Sequence, residues 1–153
     1  MNARLDEIRS HAVQTVASAT LSVRTKGAGF IDITAELARF LAAVQAGCGV
    51  VLVYLRHTSA SLVIQENADP DVQHDLLTAL DRLAPEHAGW IHTIEGADDM
   101  PAHIKAMLAG VSLHIPVVEG RPLLGTWQGL YLVEQRRSPH ERQVILQFIG
   151  SGR

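Results

Sequence analysis

Cysteine is all but missing: Cys48 is the only one in 153 residues. An intramolecular disulfide is impossible, so the fold must be held by packing, which at this length means burying roughly two-thirds of the surface that the unfolded chain exposes. Positive charge is not in excess, with 13 Lys+Arg against 16 Asp+Glu and a formal charge of -3. No basic run could neutralise several phosphates, which argues against a nucleic-acid partner. Long apolar runs are missing too. The longest, Val50 to Leu55, is strand-sized and far short of the ~20 residues of a membrane span. Around Arg4, Asp6 and Glu7 there is no basic start followed by an apolar stretch, as a secretory signal would need. Together with the lone cysteine this predicts a soluble protein of a reducing compartment, the cytoplasm by default, with no membrane partner. With no internal repeat, low-complexity tract or linker, residues 1–153 read as a single domain.

What is present reads as strands at both ends with helices between. Residues 14–25 alternate loosely and meet a Gly-Ala-Gly turn at 27–29, and a second short strand covers Phe30 to Ile33. Thr34 suits an N-cap, Leu37, Phe40, Leu41 and Val44 recur at helical spacing, and Gly47 can close that helix in a left-handed C-cap. Val50 to Leu55 reads as a buried central strand running up to His57, and 60–65 as another strand. Asp69-Pro70 opens a helix with Val72, Leu76, Leu77, Leu80 and Leu83 along one face. Asp98-Asp99-Met100-Pro101 repeats that capping logic before a short helix that Gly110 can end, with His103 in its first turn. The last third predicts a meander: strands 111–118, 123–134 and 141–149, with turns at Glu119-Gly120-Arg121 and Ser138-Pro139. Strands and helices do not alternate as in a doubly wound fold, so the class is α+β with a mostly antiparallel sheet and about three helices.

The densest polar cluster is His57-Thr58-Ser59-Ala60-Ser61, followed by Glu66, Asn67, Asp69 and Asp75. A histidine at a strand end with hydroxyls and carboxylates nearby suits metal ligation or proton transfer, and equally a polar strand end with a capped helix behind it. His92 and His103, eleven positions apart, form neither an HExxH nor a CxxC pattern, yet with His57 they could make a three-nitrogen metal site with an open position. His11, His74, His87, His114 and His140 have weaker contexts. Gly125-Thr126-Trp127-Gln128 places a hydroxyl, a large aromatic and an amide within the predicted strand, either as a bulge with a core tryptophan or as a face for a flat heterocycle. Arg142 could clamp a phosphate bidentately or form an ordinary surface ion pair. Ser59 and Ser61 share a strand face with His57, but no G-x-S-x-G elbow supports a serine hydrolase, and no Gly-rich phosphate loop is present.

Five ordered segments carry a resemblance over nearly the whole chain: HTSASL at 57–62, ENADPDVQHDL at 66–76, AHIKAMLAG at 102–110, IPVVEG at 115–120 and LGTWQGLYLVE at 124–134. In that order and spacing the chain resembles the YjbQ-like family, known as secondary thiamine phosphate synthases. The resemblance implies an α+β sandwich of mostly antiparallel sheet assembling as a homotrimer, with a polar pocket near subunit contacts. It also implies coupling of hydroxymethylpyrimidine pyrophosphate to thiazole phosphate with release of pyrophosphate, and thus a small phosphorylated substrate. By motif position it marks His57, Ser59, Glu66, Asp75 and His103 as catalytic, and Thr126, Gln128 and Arg142 as substrate-binding, beside Trp127, which its own chemistry offers as a stacking face for the substrate. A divalent metal, zinc or magnesium, would sit on His57, His92 and His103. Where many relatives carry Asn-Ala before the Ala-His, this chain has Met100-Pro101. A metal-dependent hydrolase or lyase and a non-catalytic metal- or ligand-binding trimer use the same residues and stand as alternatives.

Overall fold

The computed structural model describes residues 8–153. In chain order the elements are β1 (Thr15–Arg24), β2 (Gly29–Asp32), α1 (Thr34–Ala43), β3 (Ala46–Leu55), β4 (Ala60–Glu66), α2 (Pro70–Leu83), α3 (Asp99–Ala109), β5 (Ser112–Val118), β6 (Arg121–Pro122), β7 (Gln128–Glu134) and β8 (Glu141–Gly152). They build a five-stranded sheet in the order β1-β8-β3-β5-β6 and a three-stranded sheet in the order β2-β7-β4. Every pairing is antiparallel. The α+β class with mostly antiparallel sheet and, among the described residues, three helices is therefore as the sequence predicts.

The core explains the alternation along the strands. Val51, Val53 and Leu55 of β3, Leu146 and Phe148 of β8, Leu62 of β4, Leu130 and Leu132 of β7 and Leu37 and Leu41 of α1 belong to one buried cluster. Residues two apart on a strand share a face, so both sheets and α1 contribute to the same interior. Each such side chain adds roughly 1.5–3 kcal/mol on leaving water.

Several local expectations change. The last three long strands form no meander: β5 pairs with β3, β7 with β2 and β4, and β8 with β1 and β3. Short turns join them in sequence, but core burial distributes them between two sheets. Residues 123–127 are not strand; β7 begins at Gln128, after a turn closed by Gln128 N–H on the Gly125 carbonyl at 3.0 Å. β3 ends at Leu55 and alternates instead of burying every residue, with Tyr54 exposed.

Helix ends also differ. Ile33, not Thr34, is the α1 N-cap, because the Thr34 hydroxyl accepts the Leu130 N–H at 2.9 Å and is spent on β7. Gln45 (φ 50) takes the left-handed position expected of Gly47, which already lies in β3. Asp69 does cap α2, accepting from Asp71 N–H at 2.9 Å, with Pro70 behind it. Asp98 makes no side-chain cap on α3, since its carboxylate is taken by Arg136 and Arg137. His103 is one turn further into α3 than predicted, at i+4 from Asp99, and Gly110 (φ 90) ends the helix.

Candidate functional site

Helix α3 and the segment before it assemble a histidine–carboxylate group. Asp99 and His103, four residues apart, share a helix face, and residues 91–98 bring His92 over them. Ligating atoms of His92, Asp99 and His103 all lie within 4.8 Å of one another. Asp99 Oδ2 is 2.8 Å from His92 Nε2 and 3.2 Å from His103 Nε2. Asp99 is only 1% exposed, and its other oxygen accepts from Arg136 Nη1. Arg136 also donates to Asp98 Oδ2 at 3.2 Å and to the Glu95 carbonyl at 2.7 Å, so one buried guanidinium anchors the whole segment. Burial pushes the Asp98 carboxyl up, but hydrogen bonds from Arg137 N–H and Arg136 outweigh it and hold it below its ordinary value.

The tautomer of His103 tests what this group can hold. Its Nδ1 is 2.9 Å from the Thr58 carbonyl, which only accepts, so Nδ1 carries the proton. In the neutral ring the Nε2 lone pair then faces a carboxylate oxygen at 3.2 Å with no hydrogen between them. A second ring proton or a metal ion relieves that opposition. Two imidazole nitrogens and one carboxylate are the three-ligand set of catalytic zinc sites, whereas magnesium prefers oxygen ligands alone. The residues fit zinc, and the Thr58 carbonyl is the outer partner that orients such a histidine.

His57 stands outside this group. Its Nε2 accepts the Gln143 N–H at 2.9 Å, and its Nδ1 lies 3.5 Å from Arg142 Nη1. Burial first, then the nearby positive charges of Arg142, Arg56 and His140, lower its pKa against a smaller opposing effect of Glu134. Ser59 is buried and its hydroxyl accepts from Arg142 Nη2 at 3.1 Å. Arg142 is itself buried: its Nε and Nη2 edge, offered by the sequence to a phosphate, is turned inward onto Glu134 at 2.7 and 2.6 Å. Burial raises the Glu134 carboxyl, yet bonds from Arg142, Arg136 N–H and Thr25 hold it below the usual carboxylate value.

His57 and His103 line the same cleft, of about 640 Å³, between the end of β3 and α3, with Thr58, Leu55, Ala106 and Met107 also on its walls. The other expected residues lie elsewhere. Glu66, Thr126, Trp127 and Gln128 gather at the opposite end of β4, about 20 Å along a seven-residue strand. There Glu66 accepts from Ala68 and Asp69 N–H, and Asn67 Nδ2 donates to the Thr126 and Gln128 carbonyls at 3.3 Å each. Trp127 is 66% exposed on that turn, neither core nor in the cleft. Asp75 is exposed on α2.

Three residues of the site escaped sequence reading: Asp99, Arg136 and Glu134. Asp99 had a signal, its i, i+4 relation to His103. Glu134 had a weaker one, standing in phase with Leu130 and Leu132 on β7. Arg136 had none, since its partners lie some 37 positions away.

Comparison with known proteins agrees with this architecture. The family described as UPF0047 protein YjbQ-like matches residues 19–151. A UPF0047 protein of Synechocystis sp. is 45% identical over 131 residues, covering 85% of this chain and 89% of its own. The UPF0047 protein YjbQ of Escherichia coli O157:H7 is 42% identical, covering 86% and 96%. Among solved structures, an uncharacterized conserved protein of the same family from Clostridium acetobutylicum superposes with a TM-score of 0.79 at 37% identity, over 85% of this chain and 98% of that one. A hypothetical protein from Aeropyrum pernix gives 0.81 at 31% identity, over 88% and 99%. The likeness spans both sheets and all three helices, and the chain belongs to the UPF0047 YjbQ-like family.

Proposed function

We propose that the protein is a zinc-dependent enzyme acting on a small phosphorylated substrate held in the cleft between β3 and α3. The observation that carries this reading is the lone pair of His103 Nε2 set against the buried Asp99 carboxylate, with His92 beside it. A bound ion would supply Lewis-acid polarisation of a phosphoryl oxygen. The chain's own part is to orient. Thr58 fixes the His103 tautomer, Arg136 locks Asp99, and the apolar wall of Leu55, Ala106 and Met107 keeps part of the substrate from water.

The reaction that the family resemblance suggests is the joining of hydroxymethylpyrimidine pyrophosphate and thiazole phosphate with loss of pyrophosphate. Hydrolysis of a phosphate compound at the same centre is the second reading, favoured by the two-histidine, one-carboxylate donor set. Assembly as a homotrimer belongs to the same proposal. Helix α2 has an apolar face with no buried residue, Leu83 being 67% exposed, and subunit contact would cover it.

The test is elemental analysis and particle mass of the purified protein, followed by assays for coupling and for phosphate release before and after chelation. Stoichiometric zinc with chelation-sensitive coupling supports the first reading, and chelation-sensitive phosphate release alone supports the second. Zinc without turnover leaves a binding protein, and no zinc uptake sinks the metal centre.

A further inference from the structure

His57, on the cleft wall opposite α3, meets the buried Arg142 behind it in the converse of the His103–Asp99 opposition. His57 Nε2 accepts a backbone N–H from Gln143 at 2.9 Å, which places the single proton of the neutral ring on Nδ1. That Nδ1–H confronts Arg142 Nη1 at 3.5 Å. Two donors thus face each other, and among the described residues neither has a protein acceptor. The remaining donors of Arg142 are satisfied: Nε by Glu134 Oε2, and Nη2 by Glu134 Oε1, the Ser59 hydroxyl and the Ser59 carbonyl. Arg142 is 4% exposed and clamped by Glu134, so Nη1 cannot swing away to find a partner. Two converging N–H groups, one of them on a fixed cation, lacking an acceptor, are the chemistry of an anion site.

We infer that His57 Nδ1–H and Arg142 Nη1 form an anion subsite that takes one phosphoryl oxygen of the ligand, with Arg56 at the cleft mouth adding positive charge. An oxygen at ordinary hydrogen-bond distance from both nitrogens fits across a 3.5 Å separation. Glu134 supplies no acceptor to the site, because its two oxygens are committed to the far edge of the guanidinium, to Thr25 and to Arg136 N–H, and Arg56 adds charge against the part of Arg142's that Glu134 offsets. The proposal assigns His57 a donor role instead of a metal-ligand or base role, since its only lone pair is engaged by Gln143. The subsite lies one residue from Thr58, whose carbonyl holds His103, so an anion here would sit beside the cation-seeking face of α3. This inference rests on reading the cleft as the substrate site.

The test uses inorganic pyrophosphate as the probe and calorimetry as the readout, on the protein as purified and after chelation of metal. Binding is expected in both samples and is expected to weaken about tenfold or more in His57→Ala. Because Arg142 variants endanger folding, the second readout is the 15N signal of the His57 ring and the Arg142 guanidinium in wild-type protein, both of which should shift on titration. Pyrophosphate bound equally by His57→Ala, or no binding by the folded wild type at millimolar probe, overturns the subsite. Binding that vanishes on chelation places the anion on the metal alone and also overturns it. Absence of zinc with pyrophosphate binding intact would sink the zinc enzyme and leave the subsite standing.

Discussion

Arg142 closes on Glu134 through two hydrogen bonds, Nε to Oε2 at 2.7 Å and Nη2 to Oε1 at 2.6 Å, with the side chains only 4% and 0% exposed. Removing one member leaves an uncompensated charge in the interior. Glu134→Ala is expected to cost about 3–5 kcal/mol and to lower Tm by about 10 °C. Scanning calorimetry checks this, and a loss under about 1 kcal/mol would show that the pair is solvated or replaceable.

Stability should fall in two stages on acidification. His57 has a lowered pKa in the fold, so the unfolded chain takes up its proton first, near the ordinary 6.5. Its contribution is complete above that value and declines as pH drops below it. Glu134 is also lowered, from 4.5, so its contribution is present above 4.5 and is lost as pH falls through the folded value. Urea unfolding between pH 8 and pH 3 reads both stages. His57→Gln should remove the first and leave the second, and an unchanged first stage in that variant would assign it to another histidine.

Metal content separates two possible ligand sets. With His92, Asp99 and His103 as ligands, Asp99→Asn and His103→Ala should each lose zinc, while His57→Ala keeps it. Retention in Asp99→Asn, or loss in His57→Ala, would favour the three-histidine set that the sequence suggests. Loss of an ordering partner or ligand costs ten- to a hundredfold in metal affinity or more, well within the range of a competition assay with a chromogenic chelator.

Close approach of β3 and β8 requires glycine at position 150. A Cβ there would lie 2.3 Å from the Cys48 carbonyl oxygen and 2.8 Å from the Gly49 Cα, both backbone atoms that cannot rotate aside. The β3–β8 register also shifts between Ala46 and Gly49, next to this contact. Gly150→Ala should destabilise by about 2–3 kcal/mol through forced backbone shifts, seen as a lower urea midpoint with an unchanged m-value. A midpoint equal to wild type would mean that the strand ends separate freely.

Local signals were readable where a few neighbouring residues decide the outcome. Asp69-Pro70 determined the start of α2, Gly110 the end of α3, and the apolar run Val50 to Leu55 the presence of β3, though not which of its residues face inward. Gly47 was misread as a helix cap because a glycine that permits close strand packing looks the same in sequence as one that permits a left-handed turn. Here its missing Cβ avoids the Gly152 carbonyl.

The sequence by itself determined the α+β class, the family, and the presence of His57, His92 and His103 as chemically capable residues. Hydrophobic period, turn residues and motif order are all written in residues that are near one another along the chain. Only the tertiary structure decided which of them meet. Packing of β7 and β8 into different sheets brought Glu134 onto Arg142 and Arg136 onto Asp99, across separations of 8 and 37 positions. It also put Glu66 and Trp127 at the opposite end of β4 from the cleft that His57 and His103 share. Charges buried at such contacts follow from how the sheets stack, and no local pattern records that.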